Sequence, residues 1–246
     1  MSSMLYVTAS GARQLMNAQA VYANNLANAN TTGFQADLAQ FRAQPVFGPG
    51  YGSRAYAVVE APGLVFDKGA IQTTGRPLDV AVDGDGWIAV QAADGSEAYT
   101  RAGNLRISPA GLLVTASGLP VMGDGGPISI PEAQKIEIGA DGSISVLPKG
   151  QAPTTMAVVG RIKLVAPPHD RLVKGADGLL RMKDGRPAPA DARVRLIGGA
   201  LEGSNVNAVE NLIGLIEAAR RFEAQVKLMQ VAKQNDAAAA RLMQLG

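Results

Sequence analysis

A chain of 246 residues with a formal charge of +2 and 18% charged side chains is long enough to bury a substantial core, as one large domain or two smaller units. It carries no field strong enough to make nucleic acid or an anionic membrane its default partner. Cysteine is absent, which excludes disulfides, thiolate metal sites and thiol nucleophiles together.

The amino-terminal segment is uncharged until Arg13 and broken by Gln14, Asn17 and Gln19, which is not the pattern of a cleavable signal peptide. No stretch approaches the roughly 20 apolar residues of a membrane span. Leu5, Ala9, Ala12, Met16, Ala20, Ala23 and Ala27 recur at three- and four-residue intervals, which predicts a first helix with these residues along one face.

That helix runs into NNLANANTTGF, where Asn24, Asn25, Asn28 and Asn30 are poor helix formers. Gly33 suits the left-handed position past a last turn, and Phe34 after it suits the hydrophobic contact of a C-terminal cap. Across residues 1–36 Arg13 is the only charged side chain. A surface that hydrogen-bonds without charge suits packing against protein on more than one side, since buried charge is costly. On that reading Asn24, Asn25 and Asn28 are uncharged donors and acceptors toward neighbouring chains, and Asn30 to Gly33 turns the chain away. A neutral helix facing solvent is the alternative.

Residues 35–75, with Pro45, Gly48, Pro49, Gly50, Gly52, Pro62 and Gly63, read as an extended connector whose return arm is 188–203. Between the arms, 76–187 reads as a β domain. Short β-branched or apolar runs such as Val80–Val82, Trp87–Val90, Leu105–Ile107, Ile128–Ile130 and Ile144–Val146 alternate with seven Asp-Gly pairs. Asp-Gly supplies positive φ for hairpin turns, so an antiparallel meander is expected.

Catalytic patterns are weak. Asp83–Trp87 (DGDGW) lacks the fifth-position acid and distal Glu of a calcium loop. His169, the single histidine, sits in a proline-bounded loop with no nucleophile pattern beside it. Gly123–Gly126 does not lead into a helix and has no Gly-Lys-Ser/Thr, so a phosphate-cradling loop is not expected; with the two readings above, no cofactor, metal or catalytic group is expected. Paired carboxylates remain open from sequence, but seven aspartates precede glycine, where turn formation explains them. Arg220, Arg221, Lys227, Lys233 and Arg241 are interleaved with acids, the pattern of a solvated face.

Leu212, Leu215, Ala219, Phe222, Val226 and Met229 alternate at three and four residues, the seam of a coiled coil, until Lys233 and Asp236 interrupt it before Ala240 and Met243 resume. A second helix over 204–246 follows, with Ser204 or Asn205 as N-cap. Glu217 with Arg221 and Glu223 with Lys227 add roughly 0.3–0.5 kcal/mol each. The order helix, connector, β domain, connector, helix brings both ends together. The fold class is therefore α+β: residues 1–34 and 204–246 pair as a coiled-coil-like α domain beside the antiparallel β domain. One seam does not offset the entropy of ordering such a helix, so the terminal helices are expected to lock on assembly.

Taken together, ANNLANANTTGF (Ala23–Phe34) and LEGSNVNAVENLI (Leu201–Ile213) resemble the bacterial flagellar axial proteins of rod, hook and hook-associated segments. GRPLDVAVDGDGWIAV (Gly75–Val90), AYTRAGNL (Ala98–Leu105), VGRIKLV (Val159–Val165) and RRFEAQVK (Arg220–Lys227) are most similar to the proximal-rod members. The resemblance implies a non-enzymatic rod subunit crossing the periplasm, exported by the flagellar type III apparatus without a cleaved signal. Its helices would form an inner tube around the export channel, and its partners would be its own copies and other rod proteins, with no nucleic acid and no membrane insertion. Leu5, Ala9, Ala12, Met16, Ala23, Asn24, Asn25, Leu26, Asn28, Gly33, Phe34 and the second-helix seam are the expected packing residues. The alternative is a periplasmic or secreted carbohydrate-binding or carbohydrate-active protein whose terminal helices only oligomerise it.

Overall fold

The small-residue period near the amino terminus builds helix α1, Ser3–Ala27, and the carboxy-terminal period builds helix α2, Ala208–Gln244. The computed structural model describes residues 3–38, 41–45, 55–59, 63–149 and 156–244, so Gly48, Pro49, Gly50, Gly52 and Pro62 of the expected connector lie outside the described residues.

Asparagine ends α1 and starts α2. The Asn28 backbone N–H donates to the carbonyls of Asn24 and Asn25 at 3.1 Å each, and its side-chain Nδ2 donates to the Asn24 carbonyl at 2.9 Å. Gly33 has the expected left-handed φ of 66° but lies beyond the turn that follows α1 and does not cap it. At α2 the N-cap is Asn207 and not Ser204 or Asn205: its Oδ1 accepts from Val209 N at 3.1 Å and Glu210 N at 3.2 Å. Asn205 is committed elsewhere, donating Nδ2 to the Asp67 carbonyl at 2.8 Å.

The chain divides into a helical unit, residues 1–29, 35–65 and 206–246, and a β unit, residues 30–34 and 66–205. The division differs from the expected one on both connector arms. In the helical unit Asp37–Leu38 pairs antiparallel with Gly63–Leu64, and Phe41–Pro45 with Ala55–Val59, the last strand running against α1. In the β unit Arg195–Gly198 pairs with Val80–Asp83, and Ala200–Glu202 with Ile71–Thr73. Strands of two to five residues are too short for alternation to show, so these arms read as featureless.

Every strand pair of the β unit is antiparallel. Its largest sheet orders Leu164–Val165, Trp87–Gln91, Glu97–Thr100, Leu180–Met182 and Leu172–Lys174, and a second joins Ala133–Ile138, Ser143–Pro148 and Ala157–Arg161. Val80, Ile88, Val90, Leu113, Val121 and Ile144 are fully buried in one core. Five of the Asp-Gly turns place glycine at positive φ, as at Gly84 (86°) and Gly142 (82°). Ile128–Ile130 forms no regular strand; it is held by single bonds such as Ile128 N to the Val121 carbonyl at 3.0 Å. Pro127 and Pro131 on either side supply no N–H for a ladder.

Two polar networks cross this core. Arg101 and Glu202, each 3% exposed, form an ion pair, Nε to Oε2 at 2.7 Å. Lys163 Nζ meets both Glu97 oxygens at 2.9 and 2.8 Å, and the Tyr99 hydroxyl donates to Glu97 at 3.0 Å while accepting the Ala188 N–H at 2.6 Å. Burial pushes the Tyr99 phenol up to about 12. His169 is structural: its ring stacks on Phe66 at 4.1 Å, edge-on to the buried Trp87 at 5.6 Å.

Candidate functional site

The helical unit is built on one antiparallel register of α1 against α2. Gly11 meets Gln225, Tyr22 meets Gly214, and Asn25 meets Asn211. Gly214 makes room for the Tyr22 ring, which a Cβ 2.8 Å away would force to shift. Asn25 is 3% exposed and its amide is fully used within the chain. Nδ2 donates to Asn211 Oδ1 at 3.1 Å and to the Asp37 carbonyl at 2.8 Å, and Oδ1 accepts the Asp37 N–H at 2.9 Å. It does not face a neighbouring chain.

Asn25→Ala improves helix propensity yet takes those partners from half-buried groups of Asp37 and Asn211. The variant is expected to lose about 1–3 kcal/mol, read from urea unfolding of the purified chain. Wild-type stability would show that the amide is merely tolerated.

The stripe of α1 covered within the chain contains Thr8, Ala12, Ala18 and Asn25. Of the face expected from the sequence only Ala12 belongs to it. Ala9, Met16, Ala20, Ala23 and Ala27 lie exposed along the other side, together with Asn24, and Met16 is 57% exposed. The Leu5 side chain lies outside the described residues. Leu26 and Asn28 are half-buried; Gly33 and Phe34, also half-buried, belong to the β unit.

On α2 the covered stripe centres on Ala218 and Ala232, with Asn211, Leu215, Phe222, Gln225 and Met229 half-buried along it. Leu215, Phe222 and Met229 of the expected seam share this stripe, whereas Ala219 and Val226 flank it, half-buried, and Leu212 is 47% exposed. The seam is turned because small residues and paired asparagines let the helices approach closely, which a count of large apolar residues does not show. Opposite the stripe, Val209, Leu212, Ile213 and Ile216 form an exposed apolar row at i, i+3, i+4 and i+7. The amino-terminal half of α2 is thus apolar on two opposite faces. A helix apolar on both sides is built to be covered on both.

Among the described residues no group of His, Asp and Glu is arranged to hold a metal ion, and no helix is long and apolar enough to cross a membrane. What the helical unit leaves exposed is a pair of helix faces: an alanine-rich stripe on α1 and an apolar row on α2.

Comparison with known proteins places the chain in a class. The model of flagella basal body rod proteins matches residues 5–35, that of the flagellar hook protein FlgE/F/G D1 domain residues 81–146, and that of the flagellar basal body rod FlgEFG protein C-terminal region residues 197–242. These are the axial proteins of the flagellar rod and hook. Similar full-length relatives are the flagellar basal-body rod protein FlgF of Salmonella typhimurium, 44% identical over 100% of both chains, and that of Escherichia coli, 43% identical over the same span. The rod protein FlgG of Bacillus subtilis is 33% identical over 92% of this chain and 93% of its own. The chain belongs to the FlgF family of flagellar basal-body rod proteins.

Proposed function

We propose that this chain is a non-enzymatic structural subunit of the proximal part of the basal-body rod. It assembles helically with its own copies and with neighbouring rod proteins into a shaft that transmits torque around the export channel. The observation that carries the reading is the pair of uncovered faces. α1 presents Ala9, Met16, Ala20, Ala23 and Ala27, and α2 presents Val209, Leu212, Ile213 and Ile216. Two different faces per subunit suit heterologous contacts, which extend as a helical filament when the rotation between subunits does not close a ring. In this reading the chain crosses into the periplasm through the flagellar type III apparatus with no cleaved signal, and takes neither nucleic acid nor a bilayer as partner. Asn24 and Asn28 stay near the contact as uncharged groups, while Gly33 and Phe34 act in the β unit.

The second reading, carbohydrate cleavage, finds little support in the carboxylates. A glycosidase needs one carboxyl raised as general acid. Asp94, Glu132, Asp141, Asp177 and Asp191 are instead held below their ordinary values by hydrogen bonds from Ser96, Lys149, Ser143, Arg181 and Arg193 respectively. Asp191 falls to about 2. The buried Asp79 accepts from Thr74 at 2.7 Å and Arg76 at 2.6 Å.

Removing residues 1–30 separates the readings. A strain whose only copy carries this truncation is expected to build no rod, scored by electron microscopy of basal bodies and by swimming. Normal basal bodies would overturn the proposal.

A further inference from the structure

Residues 30–34 follow α1 in sequence but are held by the β unit, at a place formed by its carboxy-terminal end. Gly33 N donates to the Glu202 carbonyl at 2.8 Å, and Asn205 N donates to the Phe34 carbonyl at 3.2 Å. A Cβ on Gly33 would lie 2.3 Å from the backbone of Arg101 and Ala102, and its φ is 66°. Glycine is demanded twice over, by space and by backbone. Lys174 Nζ lies 4.3 Å from the centre of the Phe34 ring, a cation–π distance.

The walls of this seat are themselves joined across the sequence. Glu202 accepts Arg101 on one oxygen and Gly69 N on the other at 3.0 Å, while Arg101 Nη1 and Nη2 donate to the Gly86 and Gly84 carbonyls at 3.0 Å each. Glu202 reaches this position as the end of strand Ala200–Glu202, paired with Ile71–Thr73. The seat is therefore incomplete until the last strand of the β unit has added.

We propose that Asn30–Phe34 is a latch that closes on the β unit only when residues 200–205 are in place. The hold of the β unit on residues 30–34 then depends on the last residues of that unit. A chain folded only as far as residue 199 offers the Gly33 N–H no Glu202 carbonyl and the Phe34 carbonyl no Asn205 N–H. Linkage makes the coupling reciprocal: whatever loosens 30–34 loosens 202–205, and the reverse.

Native-state amide exchange on the isolated full chain tests this independently of any rod. Gly33→Ala is expected to speed exchange at Asn205 at least about tenfold, with Leu113 and Val121 in the core within about twofold of wild type. Asn205→Ala, which removes the side-chain bond to Asp67, is expected to speed exchange at Gly33. Phe34→Ala introduces no clash and is expected to act in the same direction at Asn205. Unchanged Asn205 exchange in both Gly33→Ala and Phe34→Ala overturns the latch. So does equal acceleration at Leu113 and Val121, which would mean general loosening. If Gly33→Ala does not fold, Phe34→Ala and Asn205→Ala decide the matter by the same readings.

Discussion

Glu202→Gln lowers the stability of the β unit by about 3–5 kcal/mol, the cost of leaving one member of a buried ion pair uncompensated. The side chain keeps its shape but loses its charge, and one of the two oxygens that accept Arg101 Nε at 2.7 Å and Gly69 N at 3.0 Å becomes an NH₂ facing a donor. Arg101 is left with uncharged acceptors alone, the remaining amide oxygen at most and the carbonyls of Gly84, Gly86 and, at 3.5 Å, Val82. With a urea slope of about 1–3 kcal/mol/M, the midpoint falls by at least about 1 M. Arg101→Met is expected to cost a similar amount, and the double variant less than the sum of the two, because the second change removes a group already stranded. A midpoint within experimental error of wild type in Glu202→Gln would show that the pair contributes little to the β unit.

That pair also marks the limit of what the sequence carries. Arg101 lies in AYTRAGNL and Glu202 in LEGSNV, segments far apart that resemblance singles out but no period connects. Periodicity did reach the elements with many residues: α1, α2 and core strands such as Val80–Asp83 and Trp87–Gln91. The Asp-Gly turns carry their conformation in two residues and were equally readable. Short strands such as Ile71–Thr73 and Ala200–Glu202 exist because of their partners, so their own residues give no sign of them. Gly33 shows a subtler case. Its left-handed backbone was legible, but the reason for it, the backbone of Arg101 and Ala102, is a contact and not a local property.

The helix faces show the same division. The alanine period was a sound sign of a helix and of a face meant for packing, but it did not say whose packing. Within the chain α1 is covered along Thr8, Ala12, Ala18 and Asn25, a mixed stripe that a hydrophobicity reading passes over. The conspicuous stripe remains outside. A single subunit thus uses its less obvious face on itself and leaves the uniform one exposed, where the proposed assembly would use it.

That difference sets the largest functional effect expected here. Ala20→Glu on α1 and Ile213→Glu on α2 place a charge on surfaces exposed in the subunit, Ile213 being 54% exposed. The purified chains should unfold within about 0.5 kcal/mol of wild type, as surface substitutions do. In an assembly each charge is buried without a partner, at a cost of several kcal/mol per contact, and a helical shaft repeats that contact at every subunit. Both variants are therefore expected to yield no basal-body rods and no swimming while the protein accumulates normally. Ala18→Glu, on the covered stripe at 2% exposure, should instead destabilise the helical unit of the isolated chain. Normal rods from Ala20→Glu and Ile213→Glu together would mean that assembly uses other surfaces. Loss of rods from either one, with subunit stability intact, assigns that face to contacts between subunits, because no defect within the chain is then left to explain it.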